Sequence, residues 1–210
     1  MCIRDRNTGV PDQEKFRACR LAGKRANALG HPVVLDPVGV GASAFRRREI
    51  ERLLAEVQMT VIRCNQEEAC TLLHMESART GGVESAVSLK ENRLTELAEK
   101  LAKAYRCTVL ISGAEDAVSD GVRTVLLTGG DRRIARITGS GCMLSAFCAL
   151  MCGAGFSSFE AAKLAGSLWK ESSRAAGVRA DWDEGGIGSF HMYLFDALDQ
   201  FCHESKEEEE

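Results

Sequence analysis

Short apolar runs alternate with amphipathic stretches along this chain, and this alternation constrains its fold more than any other feature. The apolar runs, at residues 33–35, 60–62 and 108–111, have the length of buried strands. Between them, apolar residues recur at three- and four-residue steps, as in residues 12–29. Strands that alternate with helices predict an α/β fold with a mainly parallel sheet.

The same patterns predict the remaining elements. A hairpin is expected in which residues 124–127 return through Gly129 and Gly130 to residues 134–137. Residues 82–92 lack clear periodicity and are interpreted as a loop. The predicted helices lie near residues 12–29, 50–57, 67–73, 94–105, 142–151, 159–175 and 189–201.

Composition favours one globular domain with small-molecule chemistry. The chain has 210 residues, of which 45% are hydrophobic, enough for one sizeable core. Lysine and arginine total 27 against 30 acidic residues, and an acidic run at residues 207–210 accounts for the net charge of -3. The near-neutral body argues against nucleic-acid binding, which calls for a basic surface.

Cysteine usage and hydropathy indicate a cytoplasmic protein. The nine cysteines include no CxxC pair, so a zinc site or disulfide framework is not expected, and reduced thiols are. No apolar run approaches the roughly 20 residues of a membrane-spanning helix. We therefore expect a cytoplasmic protein with no nucleic-acid or membrane partner.

Polar residues close the three apolar runs. Asp36 follows the first, Arg63 the second and Ser112 the third. Open α/β sheets bind ligands at the carboxyl ends of their strands, so these side chains are expected on one rim. A carboxylate, a guanidinium and a hydroxyl together suit a magnesium-bound phosphate. Each alone is more often a structural group, and their convergence favours function.

Asn65 and Glu68 form an N-x-x-E pattern at the start of a predicted helix. Amide and carboxylate oxygens are ligands that Mg²⁺ accepts directly or through its waters. The same spacing is typical of a helix capping box, which needs no metal. Spacing alone favours the capping box.

The sharpest feature is the segment Thr138-Gly139-Ser140-Gly141-Cys142, which lies between a predicted strand and a predicted helix. Backbone N–H groups at a helix N-terminus attract phosphate, so residues 139–142 are candidates for an anion hole. The helix dipole lowers the pKa of a thiol placed there, which would let Cys142 act as a base. The alternative is a tight turn whose Cys142 packs.

Other nucleotide-binding patterns do not occur. The chain has no G-x-x-x-x-G-K-[ST] sequence, and Gly39-Val40-Gly41 is too short for a dinucleotide fingerprint.

With these residues assembled, the chain resembles the hydroxyethylthiazole kinase family from about residue 7 to residue 201. Residues 35–42 read LDPVGVGA, similar to the family's LDPVGxGA, and residues 62–68 read IRCNQEE, similar to IRGNxxE. Residues 137–142, ITGSGC, resemble VTGxGC, and residues 188–190 match a late GSF. The resemblance implies a ribokinase-like, three-layer α/β/α fold with a mainly parallel central sheet.

The resemblance also implies an activity, with ATP as co-substrate and Mg²⁺ required. The γ-phosphate would pass to the hydroxyl of 4-methyl-5-(2-hydroxyethyl)thiazole in thiamine biosynthesis, and the enzyme would be a homotrimer. Its implied site residues are Cys142 and Asp36 for catalysis, Arg63 and Ser112 for ATP, Gly139 for substrate, residues 139–142 as anion hole, and Asn65 and Glu68 for the metal.

Three positions depart from the family pattern. Cys64 replaces a glycine, Ser112 a threonine, and Ala114 a glutamate of the TGExD stretch. Residues 1–6 resemble nothing in the family and are interpreted as a non-native leader. Residues 7–203 are then a kinase domain without its N-terminal segment, and residues 204–210 an acidic tail.

Two alternatives stay open on the sequence. Another ribokinase-like kinase, for hydroxymethylpyrimidine, pyridoxine or a sugar, would be favoured by Asp in place of Cys142. A non-catalytic nucleotide-binding remnant would keep the scaffold without turnover.

Overall fold

The structure is a computed structural model of the chain, and it describes residues 4–7, 12–75 and 86–207. Side chains are described for residues 12–75 and 93–200. None of the helices in these ranges is both long enough and apolar enough to cross a membrane.

The described strands form one six-stranded sheet whose order follows the chain. The first four strands pair in parallel, and the last two add in antiparallel orientation. The carboxyl ends of the parallel strands therefore meet at one rim. The strands are β1 (Arg4–Asn7), β2 (Val33–Asp36), β3 (Val61–Asn65), β4 (Thr108–Ser112), β5 (Asp116–Ser119) and β6 (Thr124–Leu127).

Helices cover both faces of this sheet. They are α1 (Gln13–Ala28), α2 (Ala44–Glu56), α3 (Gln66–Leu72), α4 (Ala86–Tyr105), α5 (Ser140–Gly153), α6 (Ser158–Trp182) and α7 (Ile187–Glu207). Side chains alternate across the strands, so Val33 and Leu35 pack in the core under α1 to α4. Val34 packs in the opposite core, with α5 to α7. The predicted three-layer α/β/α arrangement is confirmed.

The predicted hairpin is wrong. Residues 124–127 form β6, but residues 134–137 do not return beside it, because Arg132–Arg136 form a 3₁₀ helix. Gly129 and Gly130, with φ of 90° and 85°, carry the chain away from the sheet. The partner of β6 is β5.

A tight turn joins β5 to β6. The Asp120 carboxylate accepts the N–H groups of Val122 and Arg123, and Gly121 adopts a φ of 88°. The sequence analysis missed β5 because four residues with polar ends give almost no periodicity.

The chain ends and one internal segment also differ from expectation. β1 was not predicted, and its backbone pairs with β2 through residues 4–6 of the segment interpreted as a leader and through Asn7. Helix α4 begins at Ala86, so residues 86–92 are helical rather than a loop, while residues 82–85 lie outside the described residues. Helix α7 extends to Glu207, into the segment assigned to the acidic tail.

Candidate functional site

The three polar residues of the strand ends lie together, as predicted. Asp36 is the last residue of β2 and is fully buried, and Ser112 is the last residue of β4. Arg63 lies in the middle of β3, which continues to Asn65 rather than ending at Arg63. Its guanidinium donates a hydrogen bond to the Ser112 hydroxyl, and its Nη1 lies 3.7 Å from Oδ1 of Asp36. One cation therefore bridges two strand ends.

The predicted anion-hole loop opens helix α5, which begins at Ser140 rather than at Cys142. Gly139 is the N-cap, with a left-handed φ of 86° and no side-chain cap. The Met143 backbone N–H donates a hydrogen bond to the Gly139 carbonyl, and this bond closes the first turn of the helix. The Ser140 N–H donates to the Ile137 carbonyl at 3.2 Å, so this member of the predicted anion hole already has an acceptor. The first N–H groups of a helix lack intrahelical acceptors, so this end of α5 carries partial positive charge.

Arg63 also lies against this loop. A Cβ built on Gly141 would come within 2.7 Å of Nη2 and 2.8 Å of Cζ of Arg63. Only glycine permits this approach while the guanidinium keeps its hydrogen bond to Ser112. The Arg63 guanidinium therefore contacts both the strand ends and the first turn of α5.

Cys142 and Asp36 are neighbours in this site. The Cys142 thiol and the Ser145 hydroxyl both hydrogen-bond the Asp36 carboxylate. Burial raises the pKa of Asp36 above its ordinary value, while the charge of Arg63 and these two hydrogen bonds oppose the rise. A thiol and a carboxyl with a raised pKa, in direct contact, form a pair suited to moving a proton.

Asn65 and Glu68 form the capping box that the sequence analysis offered as the alternative to a metal site. Asn65 Oδ1 accepts a hydrogen bond from the backbone N–H of Glu68 at 2.8 Å, and Glu68 Oε2 accepts one from the backbone N–H of Asn65 at 2.9 Å. Glu68 Oε1 also accepts the Gly39 amide at 2.9 Å. This buried carboxylate thus fixes the loop after β2 to the start of α3. Burial raises its pKa, and the backbone hydrogen bonds oppose the rise.

A second buried ion pair supports the rim from α6. Lys170 Nζ lies 3.3 Å from Oδ1 of Asp116 and donates to the Ala114 carbonyl at 3.1 Å. Asp116 Oδ1 also accepts the Gly113 amide. These contacts fix the turn that follows Ser112. Lys170 also lines a cavity of about 230 Å³ beside Gly129 and Gly130.

The structure shows the surroundings of two of the departures from the family pattern. Cys64 is fully buried in the core under α1 to α4, where its thiol packs as a small apolar group. Ala114 presents its backbone carbonyl, and not a side chain, to Lys170.

Three residues of this region were missed by the sequence analysis: Ser145, Asp116 and Lys170. Ser145 lies one turn after Gly141, and that i+4 spacing is the only signal that could have placed it at the site.

Comparison with known proteins agrees with these motifs. The model of the hydroxyethylthiazole kinase family matches residues 6–204. The chain belongs to the hydroxyethylthiazole kinase family. The hydroxyethylthiazole kinase of Alkaliphilus oremlandii is 38% identical over 195 residues, which are 93% of this chain and 71% of the relative. That of Listeria monocytogenes serotype 4b is 38% identical over 192 residues, covering 91% of this chain and 70% of the relative.

Solved structures agree with the family assignment. The hydroxyethylthiazole kinase protein from Pyrococcus horikoshii superposes with a TM-score of 0.76 at 31% identity, covering 92% of this chain and 69% of that one. Pyridoxal kinase from Bacillus subtilis shares the fold, with a TM-score of 0.57 at 24% identity over 75% of this chain and 59% of that one. The predicted ribokinase-like fold is confirmed, as is the resemblance on which it rested.

Proposed function

We propose that this chain transfers the γ-phosphate of ATP to the hydroxyl of 4-methyl-5-(2-hydroxyethyl)thiazole, a step of thiamine biosynthesis. One observation carries the proposal. Arg63, Asp36 and Cys142, from two strands and a helix N-terminus, meet where the family's motifs place the reaction. The same geometry gives no support to a sugar or pyridoxine kinase over this activity.

Each site residue has a part in the proposed reaction. Arg63 and the N–H groups of Gly139, Gly141 and Cys142 bind the transferring phosphoryl group and stabilise its charge. Ser112 holds Arg63 in place and contacts ATP, and Gly139 contacts the thiazole alcohol. The alcohol oxygen forms a bond to the γ-phosphorus, the bond from phosphorus to the bridging oxygen of ADP breaks, and the hydroxyl proton passes to the Cys142 thiolate. The thiolate forms when the Asp36 carboxylate takes the proton of the Cys142 thiol, so one proton moves from sulfur to Asp36 and one from the alcohol to sulfur.

Magnesium is part of the proposal, held at Asn65 and Glu68. No cluster of three or more His, Cys, Asp or Glu side chains suited to a metal occurs in the described ranges. The oxygens of Asn65 and Glu68 already accept backbone N–H groups. These two residues therefore fit an ion bound through its water molecules rather than directly. When bound, Mg²⁺ neutralises phosphate charge.

A substitution at Asn65 separates its two roles. We expect Asn65→Ala to lower the free energy of unfolding by about 1 kcal/mol, because the N-cap is lost. Asn65→Ser keeps a capping oxygen and should restore that stability, yet require more Mg²⁺ for half-maximal activity. Thermal denaturation and magnesium titrations of both variants provide the measurement. An unchanged magnesium requirement in Asn65→Ser would show that Asn65 acts only as a helix cap.

The assembly and location follow from the family resemblance, and we propose a cytoplasmic homotrimer. Exposed apolar side chains on α6 and α7 support self-association, since Trp182 is 84% and Met192 64% exposed in the single chain. Sedimentation equilibrium measures the oligomer directly.

The activity itself is tested with the purified chain, ATP, Mg²⁺ and 4-methyl-5-(2-hydroxyethyl)thiazole. We expect ADP and the phosphorylated thiazole to form in equal amounts, and far less product from pyridoxine or hydroxymethylpyrimidine. ATP binding by calorimetry without turnover would instead identify a nucleotide-binding remnant.

A further inference from the structure

Ser145 is a fully buried polar residue in an otherwise apolar part of α5. It lies one helical turn after Gly141 and faces the carboxyl end of β2. Its Oγ is 3.0 Å from Oδ2 of Asp36 and 3.2 Å from the Gly141 carbonyl. A single hydroxyl therefore contacts both parts of the candidate site, the strand end and the helix start.

The hydroxyl has one proton and two acceptors within reach. A carboxylate is the stronger acceptor, so the geometry favours donation to Asp36. The contact with Gly141 is the ordinary i to i−4 contact of a helical serine. The bond to Asp36 has no such local origin, because it joins a helix to a strand more than a hundred residues earlier in the chain.

Side-chain hydrogen bonds hold the Asp36 carboxyl group in one orientation, and Ser145 and Cys142 each make one. The terminal torsion of an aspartate is broad, so the rotamer alone does not fix the plane of the carboxyl group. Oδ2 is held by Ser145, and Oδ1 faces Nη1 of Arg63 at 3.7 Å, beyond hydrogen-bonding distance. Ser145 is thus a short, fixed contact that sets how the carboxyl group faces Arg63 and Cys142.

We propose that Ser145 is a positioning residue for phosphoryl transfer, holding the Asp36 carboxyl group in register with Cys142 and the first turn of α5. The inference rests on the proposed function. Ser145 touches neither ATP nor the alcohol in this assignment, and its effect passes through Asp36. Its loss should therefore alter the rate of the chemical step more than the binding of either substrate.

The test compares two buried serines on neighbouring helices. Ser145→Ala removes the hydroxyl that contacts Asp36. Ser172→Ala is the matched control, because the Ser172 Oγ is buried on α6 and has no hydrogen-bond partner among the described residues. We expect Ser145→Ala to lower kcat about tenfold, the loss of one hydrogen bond to a charged group, with KM for both substrates nearly unchanged. Ser172→Ala should keep the wild-type kcat.

Rescue by conservative variants separates positioning from general packing. Ser145→Thr keeps the hydroxyl, and Ser145→Cys keeps a donor with less added volume, so at least one should recover much of kcat. Melting temperatures of all variants show whether each folds. A wild-type kcat in Ser145→Ala would overturn the role. A lower kcat would also overturn it if KM rises as well and the melting temperature falls as it does in Ser172→Ala. A wild-type chain without kinase activity would overturn the proposed function and this role with it.

Discussion

Replacing Gly141 by alanine is expected to lower kcat/KM for ATP on the order of a hundredfold, while the protein stays folded. The added Cβ would lie 2.7 Å from Nη2 of Arg63, well inside contact distance. The group that must move is the end of a flexible side chain, so the fold can accommodate the change. Arg63 would then leave Ser112 and Asp36, and its guanidinium would no longer be held at the strand ends.

A double-mutant cycle with Arg63→Ala identifies the cause. If Gly141→Ala acts by displacing Arg63, it should have little further effect in the Arg63→Ala background. If the losses of kcat/KM in the two single variants add in the double variant, the methyl group instead blocks phosphate binding by the backbone N–H groups of the loop. Gly186→Ala is the matched control, because a Cβ there meets no atom within 4 Å and Gly186 is not at positive φ. Steady-state kinetics and melting temperatures of the wild type and the four variants provide the measurement.

The rim of the site could be predicted from sequence because each of its members marks the end of a regular pattern. Asp36 and Ser112 end apolar runs, Gly139 lies between a 3₁₀ helix and α5, and Gly141 lies in the first turn of α5. Parallel strands bring their carboxyl ends together whatever the details of packing, so proximity followed from topology alone.

The supporting residues could not be predicted, because their roles depend on partners far away in the chain. Lys170 lies on a long helix where a lysine usually faces solvent, and only the position of Asp116 makes it a buried ion pair. Asp116 itself belongs to β5, which is too short to show a pattern. Ser145 sits in an apolar helical stretch where a small residue is typical of close packing. Its contact with Asp36 becomes visible only when α5 lies against β2.

The capping box shows that one spacing can fit two functions. The pattern of Asn65 and Glu68 favoured a cap, and the structure has that cap. A magnesium role for the same residues stays a prediction. The cap is compatible with it, because an oxygen that accepts one backbone N–H keeps a lone pair for a magnesium-bound water.

Replacing Cys142 by alanine is expected to lower kcat on the order of a hundredfold or more and to leave the Kd for ATP nearly unchanged. A base acts chiefly in the transition state, and alanine keeps the backbone N–H of residue 142, so the anion hole survives the substitution. Loss of the thiol removes the group that hydrogen-bonds Asp36 and that acts as the base in the proposed reaction. Steady-state kinetics give kcat, and calorimetry with ATP and Mg²⁺ gives Kd.

Two further variants decide whether the thiol acts as the base. Cys142→Asp places a carboxylate in the first turn of α5, where the helix dipole favours negative charge, and should retain much of kcat. Cys70→Ala is the control, because Cys70 and Cys142 are the two partly exposed cysteines among the described side chains and Cys70 lies on α3. It should leave kcat unchanged. Equal losses of kcat and ATP affinity in Cys142→Ala would assign Cys142 to nucleotide binding. A near wild-type kcat in Cys142→Ala would instead assign the base to Asp36, because burial raises the pKa of Asp36 and its carboxyl group lies against the same thiol.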